Sequence, residues 1–452
     1  MDIMKKLYNI CDPLKQPPEG TYVDLCSARG DSPHKPVVSI LQNRIDRAEK
    51  HTHLLFSGHP GSGKSTELLR LCKRLDTASD SSSRFFPIYI DADKYINRQD
   101  VDLTEILLAI VGSLAETLRD EKDIHLESSY LESRWNELKD LAFTDVELEK
   151  AEFSLTKYVK FVTKLKQADS KSRLLVREKL SPKLPSILDE INLVLDKARV
   201  ELKKINYQDL VLVVDNLEKI QDVVDPETKL RTYDRVFITG GEQLSSISAH
   251  AIFTVPLPLI HSPQQSSLIQ TFGEKPHVLP MVKVEEKNGT PCESGLNLMR
   301  EVLRKRFNAV EVEDSKVFDS LDTFTYLCLM SGGHVRNLLM YFRSASDHVD
   351  SIPFSIDAVK RGIQEHINAY SYSIPENNWK FLAELHLNSD KQIPNDDDHQ
   401  QMLGDLSILE YRNGGQPWYA VNPVVRELNK FKKAVKELEK KQENQTDGTD
   451  TN

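Results

Sequence analysis

The sequence of 452 residues predicts an α/β fold built around a doubly wound parallel sheet. The first observation is a set of five short apolar segments with the length and composition of buried strands: His53–Ser57, Phe85–Ile90, Leu210–Val214, Ala251–Val255 and Val278–Val284. The second is that stretches of helical periodicity separate these segments along the chain. The third is a glycine-rich turn that joins the first segment to a helix. Strands that alternate with helices are typical of a sheet covered by helices on both faces.

The glycine-rich turn matches the pattern G-x-x-x-x-G-K-[ST]. Glycines let backbone N–H groups converge on phosphate oxygens, and the following helix directs its positive N-terminus at the same anion. Lys64 is expected to reach the β- and γ-phosphates of a nucleotide, and the Ser65 hydroxyl is expected to ligate Mg²⁺. The predicted nucleotide-binding residues are Gly58, His59, Pro60, Gly61, Ser62, Gly63, Lys64, Ser65 and Thr66.

The third apolar segment ends in Asp215, as a fully buried central strand would. An acid at the tip of such a strand can hold Mg²⁺ through water, so Asp215 is predicted as the second metal-binding residue. The next position commonly holds a glutamate that polarises the attacking water, but here it holds Asn216. Either Glu218 activates water, or Asn216 orients water by hydrogen bonding with slow turnover. Glu218 could instead pair with Lys219 or cap a helix.

Two further polar residues are predicted to contact the γ-phosphate or the attacking water. Thr254 ends the fourth apolar segment, where the alternative is an ordinary strand threonine. Arg336 follows Gly332 and Gly333 at the start of a helix, where the alternative is a solvated helix arginine.

Composition narrows the possible functions. The net charge of −10 excludes a globally basic nucleic-acid coat, although it permits a local basic patch. The five cysteines show no CxxC spacing, so neither a disulfide framework nor a zinc ribbon is expected. The N-terminus lacks the apolar core of a signal peptide, and no stretch approaches the ~18 apolar residues of a membrane span. We therefore expect a cytoplasmic protein without membrane contact.

Residues 121–206 differ from the rest because they contain no glycine and are rich in Lys, Glu and Leu. We expect two or three long helices that project from the domain. Residues 127–152 are acidic, whereas a basic stretch follows that would place several side chains on one face of a continuous helix: Lys157, Lys160, Lys164 and Lys171, extended by Arg173, Arg177 and Lys183. Two interpretations stay open. The face belongs to an arm that pairs with the acidic segment, or it docks an acidic partner or nucleic acid.

From Ser294 onward the pattern is helical, with helices predicted over Leu296–Phe307, Val317–Met330, Val335–Ser346 and Ile356–Tyr370. A final module, residues 375–430, combines two short helices with a hairpin whose turn is Asn413-Gly414-Gly415. Residues 375–425 carry three Lys/Arg and eight Asp/Glu, and Asp396-Asp397-Asp398 would begin the helix expected to face a DNA groove. Phosphates would be repelled there, so contact with protein or with the preceding helices is expected instead.

Four motifs occur in order along the chain: GHPGSGKSTELL, LVLVVDNLEKI, AIFTVPLPLI and SGGHVRNLL. This set resembles Walker A, Walker B, sensor 1 and sensor 2 of an AAA+ ATPase, and among these it is most similar to initiator-like and STAND-like bacterial ATPases. The resemblance covers roughly residues 20–425. It implies an αβα core, a helical lid, a C-terminal winged-helix-like module, and ATP with Mg²⁺ as ligands.

The chain is expected to divide into five parts, and it departs from the family at certain positions. The expected parts are an N-terminal segment (1–50), a P-loop core (51–293) with a long helical insert (121–206), the lid (294–374), the winged-helix-like module (375–430), and a helical extension with a disordered tail (431–452). Asn216 departs from the usual glutamate, and the insert is long for the family. The arginine finger is unassigned; Arg231 and Arg235 are candidates, while Arg304 and Arg306 could belong to the lid.

Three functions stay open on this evidence. The first is a switch that oligomerises with ATP bound, hydrolyses ATP slowly and acts on an unknown protein partner. The second is a DNA-binding initiator or transposition-type ATPase. The third is a nucleotide-binding scaffold without turnover.

Overall fold

The computed structural model describes residues 3–30, 36–77, 84–122, 124, 162–225 and 229–447. The chain divides into two compact units. The terminal unit comprises Met1–Val37, Gly58–Thr66 and Leu279–Asn452, and the sheet unit comprises Val38–Ser57 and Glu67–Val278. The glycine-rich loop therefore belongs to the same unit as the predicted lid and the predicted C-terminal module.

A five-stranded sheet confirms the predicted α/β fold. Its strands are β1 His53–Gly58, β2 Phe85–Asp91, β3 Asp209–Asp215, β4 His250–Thr254 and β5 His277–Leu279. Their order is β2-β3-β4-β1-β5, and the β2–β3, β3–β4 and β1–β4 pairs are parallel. The carboxyl ends of parallel strands meet at one edge, so the last residues of β2, β3 and β4 become neighbours there.

The fifth strand is shorter than predicted. It ends at Leu279 rather than continuing to Val284, because Pro280 has no N–H to donate to a ladder. Two residues later, the Met281 N–H donates to the Glu410 carbonyl at 3.0 Å. Within the terminal unit, this segment thus pairs with the C-terminal module instead of extending the sheet.

The helices in chain order are α1 Ile3–Ile10, α2 Val37–Arg47, α3 Lys64–Leu75, α4 Ala92–Tyr95, α5 Leu103–Lys122, α6 Ser170–Leu180, α7 Leu184–Lys204, α8 Gly241–Ser245, α9 Leu257–Ile260, α10 Gln265–Phe272, α11 Glu293–Ala309, α12 Asp314–Val317, α13 Leu321–Met330, α14 Val335–Ser346, α15 Ile356–Ser373, α16 Asn378–Leu387, α17 Asp397–Gly404, α18 Pro423–Arg426 and α19 Asn429–Asp447. Single-turn 3₁₀ helices occur at Cys26–Ala28, Ser181–Lys183 and Leu217–Lys219, and a π-helical turn at Asp234–Thr239. No described helix is long and apolar enough to cross a bilayer.

The described part of the insert does not project from the sheet, which corrects the prediction. One side of α7 is buried along its length and contacts α5 and β3, so this helix forms part of the layer on the sheet. The reason is its amphipathic pattern, whose apolar residues recur at helical spacing: Ile187, Leu188, Ile191, Val194, Leu195, Ala198 and Leu202.

The basic helix is also not continuous. Residues 162–167 are helical, and α6 begins at Ser170, where the Asp169 carboxylate accepts the Ser172 N–H at 2.9 Å. This N-cap places Asp169 in an extended conformation and breaks the expected face. Lys157, Lys160 and the acidic stretch 127–152 lie outside the described residues.

In the terminal unit, α11 to α15 correspond to the predicted helical pattern, with one correction. The helix predicted over Val317–Met330 is two helices, α12 and α13, because the Ser320 hydroxyl caps a new start by accepting the Thr323 N–H. Helices α16 and α17 precede an antiparallel hairpin, β6 Ile408–Asn413 and β7 Gln416–Val421, and α19 follows. This arrangement is the predicted winged-helix-like module.

Candidate functional site

The glycine-rich loop has the backbone that its sequence predicts. Gly58, Gly61 and Gly63 all have positive φ values, of 149°, 87° and 107°. A Cβ on Gly61 would lie 2.8 Å from His334 Cε1 and 3.0 Å from Arg336 Cβ, so only glycine fits under the first turn of α14. The structure therefore places Arg336 against the loop, whereas its contact with a γ-phosphate stays a prediction.

Lys64 lies at the end of this loop and is buried. Its Nζ donates to the carbonyl oxygens of Gly58 and His59, at 2.9 and 3.1 Å. The His59 carbonyl also accepts the Ser62 N–H at 3.1 Å, which closes the turn. The ammonium group thus contacts the loop that would surround a phosphate.

A second cation supports the loop from the N-terminal segment. The buried Arg29 guanidinium donates to the Ser62 carbonyl at 2.8 Å and to the Pro280 carbonyl. No recognisable motif surrounds Arg29 in the sequence, so the sequence analysis did not identify it as a residue that contacts the loop.

The predicted lid contributes a neutral histidine. His334 Nε2–H donates to the Pro60 carbonyl at 2.7 Å, and Nδ1 accepts the Asn337 N–H at 3.1 Å, which caps α14. Burial lowers the pKa of His334 to about 3. The ring therefore stays uncharged and joins α14 to the loop through one hydrogen bond at each nitrogen.

His59 joins the same loop to the C-terminal module. Its Nδ1–H donates to the Leu403 carbonyl at 3.0 Å, and its Nε2 accepts the Glu410 N–H at 2.8 Å. A carbonyl can only accept and an N–H can only donate, so these partners fix a neutral tautomer. Leu403 lies in α17 and Glu410 in β6, so one fully buried ring contacts both parts of the module.

The remaining predicted loop residues begin α3. Ser65 is partly exposed in its first turn, where a hydroxyl is available to a ligand. The Thr66 hydroxyl donates to Gln16 Oε1 at 2.9 Å. Four loop carbonyls, those of Gly58, His59, Pro60 and Ser62, accept hydrogen bonds from side chains.

In the sheet unit, Asp215 ends β3 and is fully buried. One carboxylate oxygen accepts the Asn216 N–H at 2.8 Å, and the other accepts the Tyr89 hydroxyl at 2.5 Å. Tyr89 lies in β2, two residues before Asp91, which pairs with Asp215 in the strand register. Only the pairing of β2 with β3 reveals Tyr89 as a partner.

Asn216 has a left-handed backbone, with φ of 69°, and it is buried. Its Nδ2 donates to Asp91 Oδ1 at 2.7 Å. The same Asp91 oxygen accepts the Asp93 N–H at 3.0 Å, which caps α4. Asp93 in turn pairs with Arg98 and Lys219.

Glu218 follows the end of β3, and Thr254 is the last residue of β4. Glu218 lies in the 3₁₀ turn after Asn216. The Thr254 hydroxyl accepts the Leu217 N–H at 3.0 Å and lies 3.4 Å from the Val214 carbonyl. In this arrangement the hydroxyl holds the turn that carries Asn216 and Glu218, so any contact with a phosphate stays a prediction.

The arginine-finger candidates all have partners. Arg231 pairs with Asp222, and Arg235 pairs with Asp225 and donates to the Val101 carbonyl. In the terminal unit, Arg304 pairs with Asp314 at 2.6 Å. Arg306 is buried and donates to the Val302 carbonyl, and burial lowers its pKa.

Arg173 and Arg177 do not extend a basic docking face, which corrects the prediction for the insert. The Arg173 guanidinium is buried and pairs with Asp100 at 2.9 Å. Arg177 pairs with Asp100 and, at 2.7 Å, with Glu105 in α5. Burial raises the pKa of Glu105 to about 7, and Arg177 opposes this shift. These arginines attach α6 to the sheet unit.

No family model and no curated protein matches the chain. Solved structures that are similar to it include the ORC2 protein of Aeropyrum pernix in ADPNP–ADP complexes, with 11% identity over 96% of this chain and 98% of that one and a TM-score of 0.41. A Walker-type ATPase of Pyrococcus abyssi has 13% identity over 88% and 96%, with a TM-score of 0.41. Cdc6p from Pyrobaculum aerophilum has 12% identity over 88% and 92%, with a TM-score of 0.37.

Proposed function

We propose that the chain is an ATP-binding NTPase of the AAA+ type that acts as a nucleotide-dependent oligomerising switch and hydrolyses ATP slowly. One observation carries the proposal: the glycine-rich loop, from here on called the phosphate loop, is hydrogen-bonded both to the predicted lid and to the C-terminal module. His334 joins the Pro60 carbonyl to α14, and His59 joins the loop to α17 and β6. A loop that changes conformation with its ligand would therefore act on both partners.

The loop fits a nucleotide phosphate. The carbonyl oxygens of Gly58, His59, Pro60 and Ser62 accept hydrogen bonds from side chains, and the Ser62 N–H closes the turn, so the anion would be bound by other backbone N–H groups of the loop. Three glycines with positive φ give the loop a backbone conformation that other residues rarely adopt. Magnesium, held by the Ser65 hydroxyl and by Asp215 through water, would neutralise charge on the β- and γ-phosphates.

Lys64 supplies the switching step. To bind phosphate, its Nζ exchanges the carbonyls of Gly58 and His59 for phosphate oxygens. The His59 ring holds the C-terminal module, so this exchange reaches the module through a single residue. Arg336, which lies against Gly61, would sense the γ-phosphate from the lid side. When these contacts of the loop change, surfaces of the lid and the C-terminal module would become exposed. Through these surfaces the chain would form a homo-oligomer and bind a protein partner.

Slow turnover follows from the residues at the end of β3. Asn216 cannot accept a proton, so either Glu218 activates water or Asn216 only orients it. Thr254 would fix the turn between them through the Leu217 N–H. If neither residue supports hydrolysis, the same site would make the chain a nucleotide-binding scaffold without turnover.

The alternative, a DNA-binding initiator or transposition-type ATPase, would use the C-terminal module on DNA. The helix before the hairpin, α17, starts at an acidic N-cap, Asp396, whose carboxylate contacts His399. The hairpin strand β6 is largely buried, and the Tyr411 hydroxyl donates to the Gly332 carbonyl of the lid at 2.8 Å. The acidic start of α17 would repel phosphates, so a DNA-binding role would have to use another face of the module.

The central test is ATP binding by the Lys64→Ala variant. Removing the ammonium group should weaken ATP affinity at least about tenfold by calorimetry. Lys436→Ala, an exposed lysine in α19, is the matched control and should bind like wild type. Unchanged affinity in Lys64→Ala would overturn the nucleotide site.

Phosphate release then separates the water-activating candidates. Glu218→Gln should bind ATP but lose turnover if Glu218 is the base, and Asn216→Ala should do so if Asn216 orients water. A wild-type rate well above about 10 s⁻¹, a typical enzyme value, would contradict slow hydrolysis. ATP-dependent mass by light scattering tests the oligomer.

A further inference from the structure

A cavity of about 660 Å³ lies in the sheet unit, at the amino-terminal ends of its strands. Its lining includes His53, Asp209 and His250, the first residues of β1, β3 and β4, together with Asn192 of α7. Asp215 ends the strand that Asp209 begins, so the predicted metal-binding carboxylate is roughly 20 Å away. The cavity is therefore separate from the strand ends predicted to hold magnesium, and its volume is in the range of small-molecule sites.

Two histidines in the cavity wall are held in place through one ring nitrogen each. His53 Nε2–H donates to the Ile247 carbonyl at 2.8 Å, so its Nδ1 carries a lone pair. His250 Nδ1 accepts the Thr52 N–H at 3.2 Å, so its proton lies on Nε2. Burial lowers the pKa of both histidines, to about 4 in His250, so both rings are neutral at pH 7. Within the described part of the chain, His53 Nδ1 and His250 Nε2 have no hydrogen-bond partner, so the wall offers a ligand one acceptor and one donor.

A third histidine, His51, adds a further acceptor. Its Nε2–H donates to Asp209 Oδ2 at 3.1 Å, which leaves Nδ1 with a lone pair in the neutral ring. Arg199 Nε donates to the other carboxylate oxygen at 2.8 Å. Although burial opposes the shift, hydrogen bonds from His51 and Arg199 lower the pKa of Asp209, so this carboxylate stays charged and paired. The rings of His51 and His250 pack edge to face with centroids 5.3 Å apart, which restricts the orientation of both.

The rest of the wall is polar and nearly neutral in charge. Among the described lining residues, only Ala48 and Ile247 are aliphatic. Glu49 and Lys50 carry opposite charges, and the remaining carboxylate is the one paired with Arg199, so the wall has no excess charge to favour an ion. No group of three metal-binding side chains in the described ranges is arranged to hold a metal ion.

A neutral ligand with several hydroxyl groups matches this wall. Each hydroxyl can both donate and accept, so it can pair with an imidazole acceptor or with an imidazole donor. A flat apolar ligand would find little aliphatic surface and would leave these nitrogens unpaired, which costs affinity. We propose that the cavity binds a neutral polyol, such as a sugar, whose hydroxyls pair with His51 Nδ1, His53 Nδ1 and His250 Nε2. The proposal does not depend on the nucleotide-dependent function proposed above.

The first experiment uses free sugars and the full-length chain without nucleotide. Saturation-transfer difference NMR with ribose, glucose and trehalose should detect saturable binding of at least one of them. Absence of saturable binding by all three sugars up to about 100 mM would overturn the proposal, because a site with a dissociation constant of about 1 mM is then full.

Two substitutions remove the open nitrogens and keep the structural hydrogen bonds. In His53→Gln the amide NH₂ can still donate to the Ile247 carbonyl, and in His250→Asn the amide oxygen can still accept the Thr52 N–H. Each should weaken sugar binding roughly fivefold or more, because a hydrogen bond to the ligand is lost. His348→Gln, at an exposed histidine of the terminal unit, is the matched control and should bind sugar like wild type. Circular dichroism identifies a variant that fails to fold, and wild-type affinity in the folded cavity variants would overturn the site.

Two ionic probes separate a polyol from a charged ligand. Sodium sulfate and spermidine are measured in the same way, on wild type and on both cavity variants. Sugar binding that neither ion displaces supports the neutral polyol. Binding of sulfate or spermidine that both His53→Gln and His250→Asn abolish, with no sugar bound, would show that the cavity takes an ion and that the proposal is wrong.

Discussion

The phosphate loop and the strand-end residues of the sheet unit are held in place in different ways. The loop is held by side chains distant in sequence, since Arg29 comes from the N-terminal segment and His334 from α14. Asp215 and Asn216 are held by Tyr89 and Asp91, which belong to the adjacent strand in register. Changes at the loop should therefore alter the stability of the terminal unit, whereas changes at the strand ends should alter chemistry with little loss of stability.

The largest effect is expected from His59→Ala. It leaves the buried Leu403 carbonyl and Glu410 N–H without their partners, at a cost of roughly 2–4 kcal/mol in the free energy of unfolding. Urea denaturation measures the loss. His348→Ala, an exposed histidine in the same unit, is the matched control and should change little. Equal stabilities of the two variants would refute the idea that His59 holds the module to the loop.

The next effect is a loss of stability in acid that arises at His334. The pKa of this histidine is about 3 when folded and 6.5 when unfolded, with burial as the main cause. The unfolded chain therefore binds a proton that the folded chain does not, so the stability is fully present above pH 6.5 and is lost as pH falls toward 3. At pH 5 the loss from this residue alone is about 2 kcal/mol.

The variant His334→Asn isolates this contribution from the other histidines whose pKa burial lowers, such as His250 and His386. Asparagine can still cap α14, but it does not titrate. Between pH 6 and 4, the slope of unfolding free energy against pH should be shallower by about 1.4 kcal/mol per pH unit than in wild type. Identical slopes would show that His334 is not the acid-sensitive contact.

The same contrast explains what the sequence could predict. The glycine-rich loop and the five strands were predictable, because a local motif and apolar runs specify them. The sequence also pointed to Asp215 and Asn216, because each follows directly from the end of a strand. Each of these features is specified by residues that are close together in the sequence.

Contacts between distant segments were not predictable. Nothing near Arg29 or His334 signals that each bonds to a carbonyl of the loop, since those partners come from the folded terminal unit. Tyr89 and Asp91 become partners of the β3 residues only once β2 and β3 pair. For the insert, a charge pattern suggested an exposed face, but Arg177 pairs with the buried Glu105 and the partly exposed Asp100, which the spacing of charges along the chain cannot reveal.

The smallest effect is expected from Tyr89→Phe, which tests the strand-end side of the comparison. The change removes one hydroxyl that donates to Asp215 at 2.5 Å and keeps the ring, so unfolding free energy should fall by only about 1 kcal/mol. Asp215 would lose a hydrogen bond that orients its carboxylate, and binding of a fluorescent ATP analogue should then require several-fold more Mg²⁺. Binding without Mg²⁺ should match wild type, because the loop is untouched. Tyr372→Phe, at a fully solvated tyrosine, is the control. A large loss of stability in Tyr89→Phe with an unchanged Mg²⁺ requirement would reverse the contrast, since the strand ends would then support the fold rather than the metal.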